Sequence, residues 1–347
     1  MKCENKKNVA FFTPYYKENR GNATTAKRLE ALLTNAGWNI NIFAYDEEEW
    51  TKEHEQLLKK AHIIHVLHFR RFAEWMKNHD IAINQPLVIT SGGTDVNQDL
   101  FDKEKMKRMS TLLNKSAALT VFTEDAKQKL RKHLPSVEKV HVIPQTPYFP
   151  EGNCEYALKE NGEPILFLPA GLRKVKDVLY LKEEVNTLKN TQFPHLKLLI
   201  AGSIIEEEVY KEVLNAEREY DWLHYIGEVP YECMNALYEK VDVVINTSLH
   251  EGQSGALLEA MAKQCFILAR KNPGNESIVG DDENGLLFTT PEEFITKFLN
   301  AYQNEKIKSQ IIKNATEFMK SNFDPNGELS AYERLYGQVL KGSRINC

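Results

Sequence analysis

The chain is expected to fold as α/β, in two doubly wound, Rossmann-like domains of parallel sheet that face each other across a cleft. Three observations predict this. Short β-branched runs alternate with amphipathic helical stretches from end to end, the pattern of parallel strands joined by crossovers. A length of 347 residues suits two domains of ordinary size. The rhythm breaks near the middle, at a proline-rich stretch over residues 144–152.

The elements follow in order. Residues 9–12, 40–43, 63–68, 87–90, 119–122 and 140–143 read as strands, with helices between them such as 23–36, closed by Gly37. The proline-rich stretch reads as a linker, so the first domain covers 1–150. A second unit, 151–325, opens with a strand at 165–168 and continues through 196–201, 223–226, 241–246 and 266–269. The amphipathic stretch 328–340 reads as a final helix within 326–347. Such domains take ligands at the carboxyl ends of their strands.

Composition narrows the function. Hydrophobic content of 42%, charge of 27% and a net charge of −5 without blocks of like charge describe a soluble protein and argue against a nucleic-acid partner. No run approaches the ~18 consecutive apolar residues of a membrane span. The first residues lack the apolar core of a signal peptide. Five cysteines (Cys3, Cys154, Cys233, Cys265, Cys347), odd in number and without metal spacing, read as free thiols of a reducing compartment, hence the cytoplasm. Asn22, Asn246 and Asn275 begin sequons inside segments assigned below to the site, where glycans would obstruct it.

The chemistry concentrates at residues 250–262, His-Glu-Gly-Gln-Ser-Gly-Ala-Leu-Leu-Glu-Ala-Met-Ala. Leu257, Leu258 and Met261 fall at helical spacing after a buried strand, so Glu251 lies in a strand-to-helix loop and Glu259 inside the helix. Between them the small residues Gly252, Ser254, Gly255 and Ala256 surround a helix N-terminus, whose free N–H groups and dipole favour an anion. A phosphate flanked by two acceptors for sugar hydroxyls is what a nucleotide-sugar donor requires. Arg173 and Lys176 follow another buried strand directly and are placed to neutralise a leaving diphosphate; ordinary solvated basic residues would give the same pattern.

Other positions are weaker. Gly21 and Asn22 open a helix after the first strand, as an anion site or as a cap with Asn22 at the N-cap. Thr94 and Asp95 follow the fourth strand, and His68 ends the third, as substrate contacts or as structural groups. Thr123 is a sufficient N-cap for the helix behind it. Asp281, Asp282 and Glu283 read as solvated surface, so no metal site is expected.

The Glu-x7-Glu motif, the following Phe266–Arg270 run, Asn275-Glu276 and Asn284-Gly285-Leu286-Leu287 resemble the retaining family 4 glycosyltransferases of GT-B fold. Gly21-Asn22-Ala23, Gly92–Asn97, Gly171–Asp177 and Pro273–Asn275 extend the resemblance along nearly the whole chain. It implies retention at the anomeric carbon, a nucleoside diphosphate sugar as co-substrate, most commonly with uridine, and neither cofactor nor metal. It further implies that Arg173 and Lys176 serve the diphosphate, Glu259 the ribose and Glu251 the donor sugar. The segment holding Val229 would border the nucleobase, and the final helix would cross back to the first domain. Many relatives carry a histidine where this chain has Gly92. The Leu172–Asp177 and Pro273–Asn275 segments are also similar to selenosugar synthases, which use a selenium nucleophile. Binding of a nucleotide sugar without turnover is the remaining alternative. Acceptor and oligomeric state are not legible.

Overall fold

Every strand pairing in the computed structural model is parallel, and the pairings close two separate six-stranded sheets. The structure describes residues 7–18, 20–79, 81–91, 93–135, 137, 139–152, 154–156 and 164–343; Gly92, Cys3 and Cys347 lie outside them. The first sheet comprises β1 (Asn8–Thr13), β2 (Asn39–Ala44), β3 (Ile63–Leu67), β4 (Leu87–Thr90), β5 (Ala118–Val121) and β6 (Val140–Val142), in the order β2-β1-β3-β4-β5-β6. The second comprises β7 (Ile165–Pro169), β8 (Lys197–Ala201), β9 (Leu223–Tyr225), β10 (Val243–Asn246), β11 (Phe266–Arg270) and β12 (Leu286–Phe288), in the order β12-β11-β10-β7-β8-β9. Both are doubly wound, because the chain reverses direction across each sheet once.

The central strands are buried on both faces. Each residue of β3, β4, β5 and β10 is enclosed, which explains their near-continuous apolar runs. The chain divides into two compact units, Met1–Gln145 with Pro325–Cys347, and Thr146–Asp324. In the first unit, one face of the sheet packs Phe12, Ile64 and Ile89 against Phe72, Trp75 and Leu113. The opposite face packs Phe11, Leu67 and Val88 against Leu29, Tyr332 and Tyr336. The helix Pro325–Ser343 is therefore part of the first core. Among the described residues no helix is long and apolar enough to cross a membrane.

That helix is fastened by polar contacts as well. The Arg28 guanidinium lies 3.0 Å from the Glu328 carboxylate and donates to Gln145 Oε1 at 3.0 Å, all of it buried. His65 Nδ1 is 2.6 Å from the Tyr336 hydroxyl and Nε2 is 2.7 Å from Thr90 Oγ1. Burial pushes the His65 imidazole down to about 3, so the ring is neutral and can both donate and accept.

Several expectations need correction. β3 ends at Leu67, because His68 leaves the strand with φ +67°. Asn22 is not an N-cap: the helix runs Gly21–Asn35 behind Arg20, since the Arg20 carbonyl already accepts from Thr24 N at 3.0 Å. β12 was not anticipated. The five free thiols are not all free either. Cys154 and Cys233 are joined as a disulfide, Cα atoms 5.4 Å apart across 79 positions of sequence, because the chain beyond the proline-rich stretch packs back onto residues 231–233. A Cβ on Gly152 would stand 2.4 Å from the Glu232 carbonyl. Cys265 is free and buried, its thiol pushed up to about 12 by burial.

The neutral His65 has a consequence for stability. Its folded value lies below that of the unfolded chain, so its contribution is complete above about 6.5 and is lost as pH falls from there toward about 3. The total is on the order of a few kcal/mol. Thermal melts across this range should show a steeper fall for the wild type than for His65→Gln; equal slopes would remove His65 as the source.

Candidate functional site

The second sheet has its switch point between β7 and β10. From β7 the chain winds to β8 and β9, whereas β10 leads to β11 and β12 on the other side. The loops leaving the adjacent carboxyl ends of β7 and β10 therefore diverge and leave a crevice, the usual ligand site of such sheets. After β7 come Gly171, Arg173 and the 3₁₀ turn Lys174–Lys176; after β10 come Thr247 to Ser254 and then the helix Gly255–Ala262. The two loops are bonded together: Leu249 N donates to the Val175 carbonyl at 2.9 Å, and Thr247 Oγ1 to the Lys176 carbonyl at 2.8 Å.

Across this junction Lys176 Nζ donates to Glu251 Oε1 at 2.6 Å. The same oxygen accepts from Ser248 Oγ at 2.7 Å and Asn246 Nδ2 at 3.1 Å. Burial pushes the Glu251 carboxyl upward, but the Lys176 ammonium and these hydrogen bonds outweigh it and hold it below the usual carboxylate value. Asn246, the last residue of β10, acts as a hub. It also donates to Ser254 Oγ at 3.2 Å and accepts from Asn275 Nδ2 at 3.0 Å and Ser248 N at 3.1 Å. Neither Asn246 nor Asn275 is available to a glycan, since both side chains are buried and bonded. Half-buried Arg173 has its Nε without a hydrogen bond among the described residues.

Glu259 is held differently. It sits inside the helix, buried, with the Tyr231 hydroxyl 2.9 Å from Oε1 and the Tyr238 hydroxyl 3.0 Å from Oε2. Burial, and then the neighbouring Glu259 charge, pushes the Tyr238 hydroxyl well above its ordinary value, so it stays protonated and donates. Ser254 caps the helix, its Oγ accepting from Leu257 N at 3.4 Å. Gly255 begins the helix where a Cβ would meet nothing within 4 Å; the fold alone does not require glycine there. Half-buried Gly252 lies in the loop ahead of the cap. Buried Val229 follows Gly227, which adopts φ +77° where the chain leaves β9. Thus Arg173, Lys176, Glu251, Gly252, Ser254, Gly255, Ala256 and Glu259 all lie at the carboxyl edge of one sheet.

The first unit repeats the geometry, with its switch point between β1 and β3. Gly21 and Asn22 begin the helix after β1, and a Cβ on Gly21 would again meet nothing within 4 Å. His68 follows β3 and Thr94 and Asp95 form the short helix Thr94–Asn97 after β4. His68 Nδ1 stands 2.6 Å from Asp95 Oδ1, while Asp95 Oδ2 accepts from Phe69 N at 3.2 Å. His68, Asp95 and Asp99 bring ligand-type atoms within 4.8 Å of one another. A cation there would have to displace Arg70 and Lys105, which hold Asp99 at 2.6 and 2.9 Å. Thr123 caps its helix as expected, accepting from Ala126 N at 3.2 Å. Asp281 is structural: it accepts from Leu287 N at 2.8 Å and pairs with Lys297.

Residues 155–318 match the family model described as glycosyl transferases group 1. Glycosyltransferase 1 domain-containing protein 1 of Xenopus tropicalis is 30% identical over 330 residues, covering 91% of this chain and 93% of that protein. The chain belongs to the group 1 glycosyltransferases. Among solved structures, sucrose-phosphate synthase from Thermosynechococcus elongatus superposes with a TM-score of 0.76 at 14% identity, covering 97% of this chain and 100% of that one. Anabaena HepE, solved with UDP and glucose, gives 0.73 at 13% identity over 94% and 98% of the two chains. The fold of this group 1 glycosyltransferase is accordingly GT-B.

Several residues of the site escaped the sequence reading. Tyr231 and Tyr238 reach Glu259 from 28 and 21 positions away, and no local pattern marks a tyrosine as a partner. Arg270, at the end of β11, pairs with Asp177 at 2.7 Å and lies over the Tyr180 ring at 3.7 Å; its position after a buried strand was a usable signal. Gly274 backs the loop that carries Glu251 so closely that a Cβ would stand 2.4 Å from the Glu251 carbonyl oxygen. Gly274→Ala should therefore displace the Glu251 backbone, cost about 1–3 kcal/mol in stability as overpacking does, and depress sugar transfer. Unchanged denaturation and turnover would show that the loop absorbs the methyl group.

Proposed function

We propose that this glycosyltransferase is retaining and metal-independent, and that it moves a sugar from a nucleoside diphosphate sugar, with uridine as the base, to an acceptor nucleophile. The observation that carries the reading is the Lys176–Glu251 pair beside Arg173, at the switch point that also holds Glu259. The UDP and glucose bound to HepE, a protein of similar fold, support the donor class.

Glu259 accepts from the vicinal ribose hydroxyls, held in place by the Tyr231 and Tyr238 hydroxyls. Backbone N–H groups at Ser254 to Ala256, approached past Gly252, bind the diphosphate at the helix N-terminus. Val229 borders the base. Lys176 is already largely neutralised by Glu251, so Arg173 supplies most of the free positive charge for the leaving group. Glu251, anchored on Oε1 by three donors, is the carboxylate that serves the donor sugar. The anomeric C–O bond breaks with its electron pair going to the β-phosphate oxygen. The acceptor attacks from the same face and its proton passes to that oxygen. Positioning and fixed charge replace an enzymatic base, a cofactor and a metal. Gly21, Asn22 and Thr94 contribute substrate contacts on the first unit, whereas His68 and Asp95, buried against each other, hold the loops behind them.

Calorimetric titration should show UDP binding without magnesium. Glu259→Gln should weaken it by about 1.5–3 kcal/mol, the loss of a hydrogen bond to a charged acceptor. Glu251→Gln should spare UDP affinity and impair transfer; the reverse pattern would exchange the two roles. Binding without sugar release in mass-spectrometric assays would instead identify a nucleotide-sugar-binding protein.

Arg173→Ala should lower kcat more than it raises the donor KM, by roughly 100- to 1,000-fold as for one oxyanion donor. A folded variant with unchanged turnover would return Arg173 to the solvated loop.

A further inference from the structure

We propose that the Cys154–Cys233 bond is a thiol switch that sets nucleotide affinity in the second unit, an inference that rests on the nucleotide-binding reading above. Cys233 is the last residue of the 3₁₀ turn Tyr231–Cys233, and Cys154 follows the proline-rich stretch. Two further contacts join the same segments. The Tyr231 hydroxyl reaches the Tyr148 carbonyl at 2.5 Å, and Gly152 lies against Glu232 so closely that no Cβ fits between them. That Tyr231 hydroxyl also stands 2.9 Å from Glu259 Oε1. Two positions of chain therefore separate the disulfide from the side chain that orients the ribose-binding carboxylate.

Cys154 and Cys233 are half-buried residues, whereas Cys265 is buried and its thiol is pushed up to about 12. One thiolate of the dithiol attacks a sulfur of the bond and forms a mixed disulfide; the second closes the reductant's own disulfide. Two electrons and two protons pass to the protein, leaving Cys154 and Cys233 as thiols. The covalent tether on residues 231–233 is then gone, leaving the Tyr231–Tyr148 hydrogen bond and the Gly152–Glu232 packing to hold the segment alone. Tyr231 samples more orientations, and Glu259 must be ordered when the nucleotide arrives, which weakens binding. Such a bond is permanent in an oxidising compartment and reversible in a reducing one.

Titration of the full-length protein with UDP, before and after dithiothreitol, tests this. Thiol counting under denaturing conditions should find two more free cysteines after reduction than before it. Reduction, or Cys154→Ser, should weaken UDP by about three- to tenfold, the scale of one neutral hydrogen bond, and Cys154→Ser should no longer respond to dithiothreitol. Tyr231→Phe should abolish most of the redox difference, as expected if the coupling runs through its hydroxyl. A purely structural bond would lower the melting temperature on reduction and leave UDP affinity unchanged, which overturns the switch alone. Five free thiols at the outset overturn it as well. No UDP binding in either state overturns the nucleotide reading and the switch together.

Discussion

The parallel pairing of β7 with β10 is the constraint on which the site depends. It places two loops, 75 residues apart at Lys176 and Glu251, side by side at the point where the sheet changes winding direction. A parallel sheet cannot put neighbouring strands close in sequence, since each connection is a crossover. Cation and carboxylate must therefore arrive from distant segments, and only the sheet register brings them within 2.6 Å. The backbone bond from Leu249 to Val175 and the bond from the Thr247 hydroxyl to the Lys176 carbonyl then lock the loops together, so that the ion pair joins segments already held in place.

The two glutamates are buried by opposite means. Glu251 keeps its charge because an ammonium and two neutral donors face one oxygen; a carboxylate so supported stays ionised and its geometry is stiff. Glu259 instead has two hydroxyls within hydrogen-bond distance, Tyr238 and Tyr231, the latter shared with the Tyr148 carbonyl. A neutral hydroxyl donor stabilises a carboxylate less than an ammonium does.

Much of this was legible in the sequence, for reasons that also explain what was not. Strands enclosed on both faces carry long apolar runs, so β3, β4, β5 and β10 announce themselves. β12 has three residues behind a tight turn, below the length at which periodicity speaks, although its pairing with β11 completes the sheet. Glu251, Ser254 and Glu259 were readable because strand, loop and helix follow one another locally. Their partners were not: Lys176 could be named by its position after β7, but its bond to Glu251 is a fact of register. The left-handed backbone of His68 has no sequence signal of its own: histidine is enriched there among non-glycine residues, yet only a small share of histidines adopt it. The Cys154–Cys233 bond was misread because an odd cysteine count without metal-ligand spacing points to thiols, while the pairing depends on a fold-back that only the tertiary structure shows.

The first unit shows the same economy applied to a helix. Tyr332, Leu335, Tyr336 and Val339 recur at helical spacing and bury an apolar stripe of Pro325–Ser343 against the sheet. Such a stripe alone tolerates rotation or a slip along the axis, because apolar contacts are not directional. The buried Arg28–Glu328 pair and the His65–Tyr336 contact remove that freedom, since each would leave an unsatisfied polar group if the helix moved by one turn. Their net stabilisation over an apolar core is small. What they add is a single register for the segment that re-enters the first core after the chain has built the whole of the second, and a buried neutral histidine is the cost of that definition.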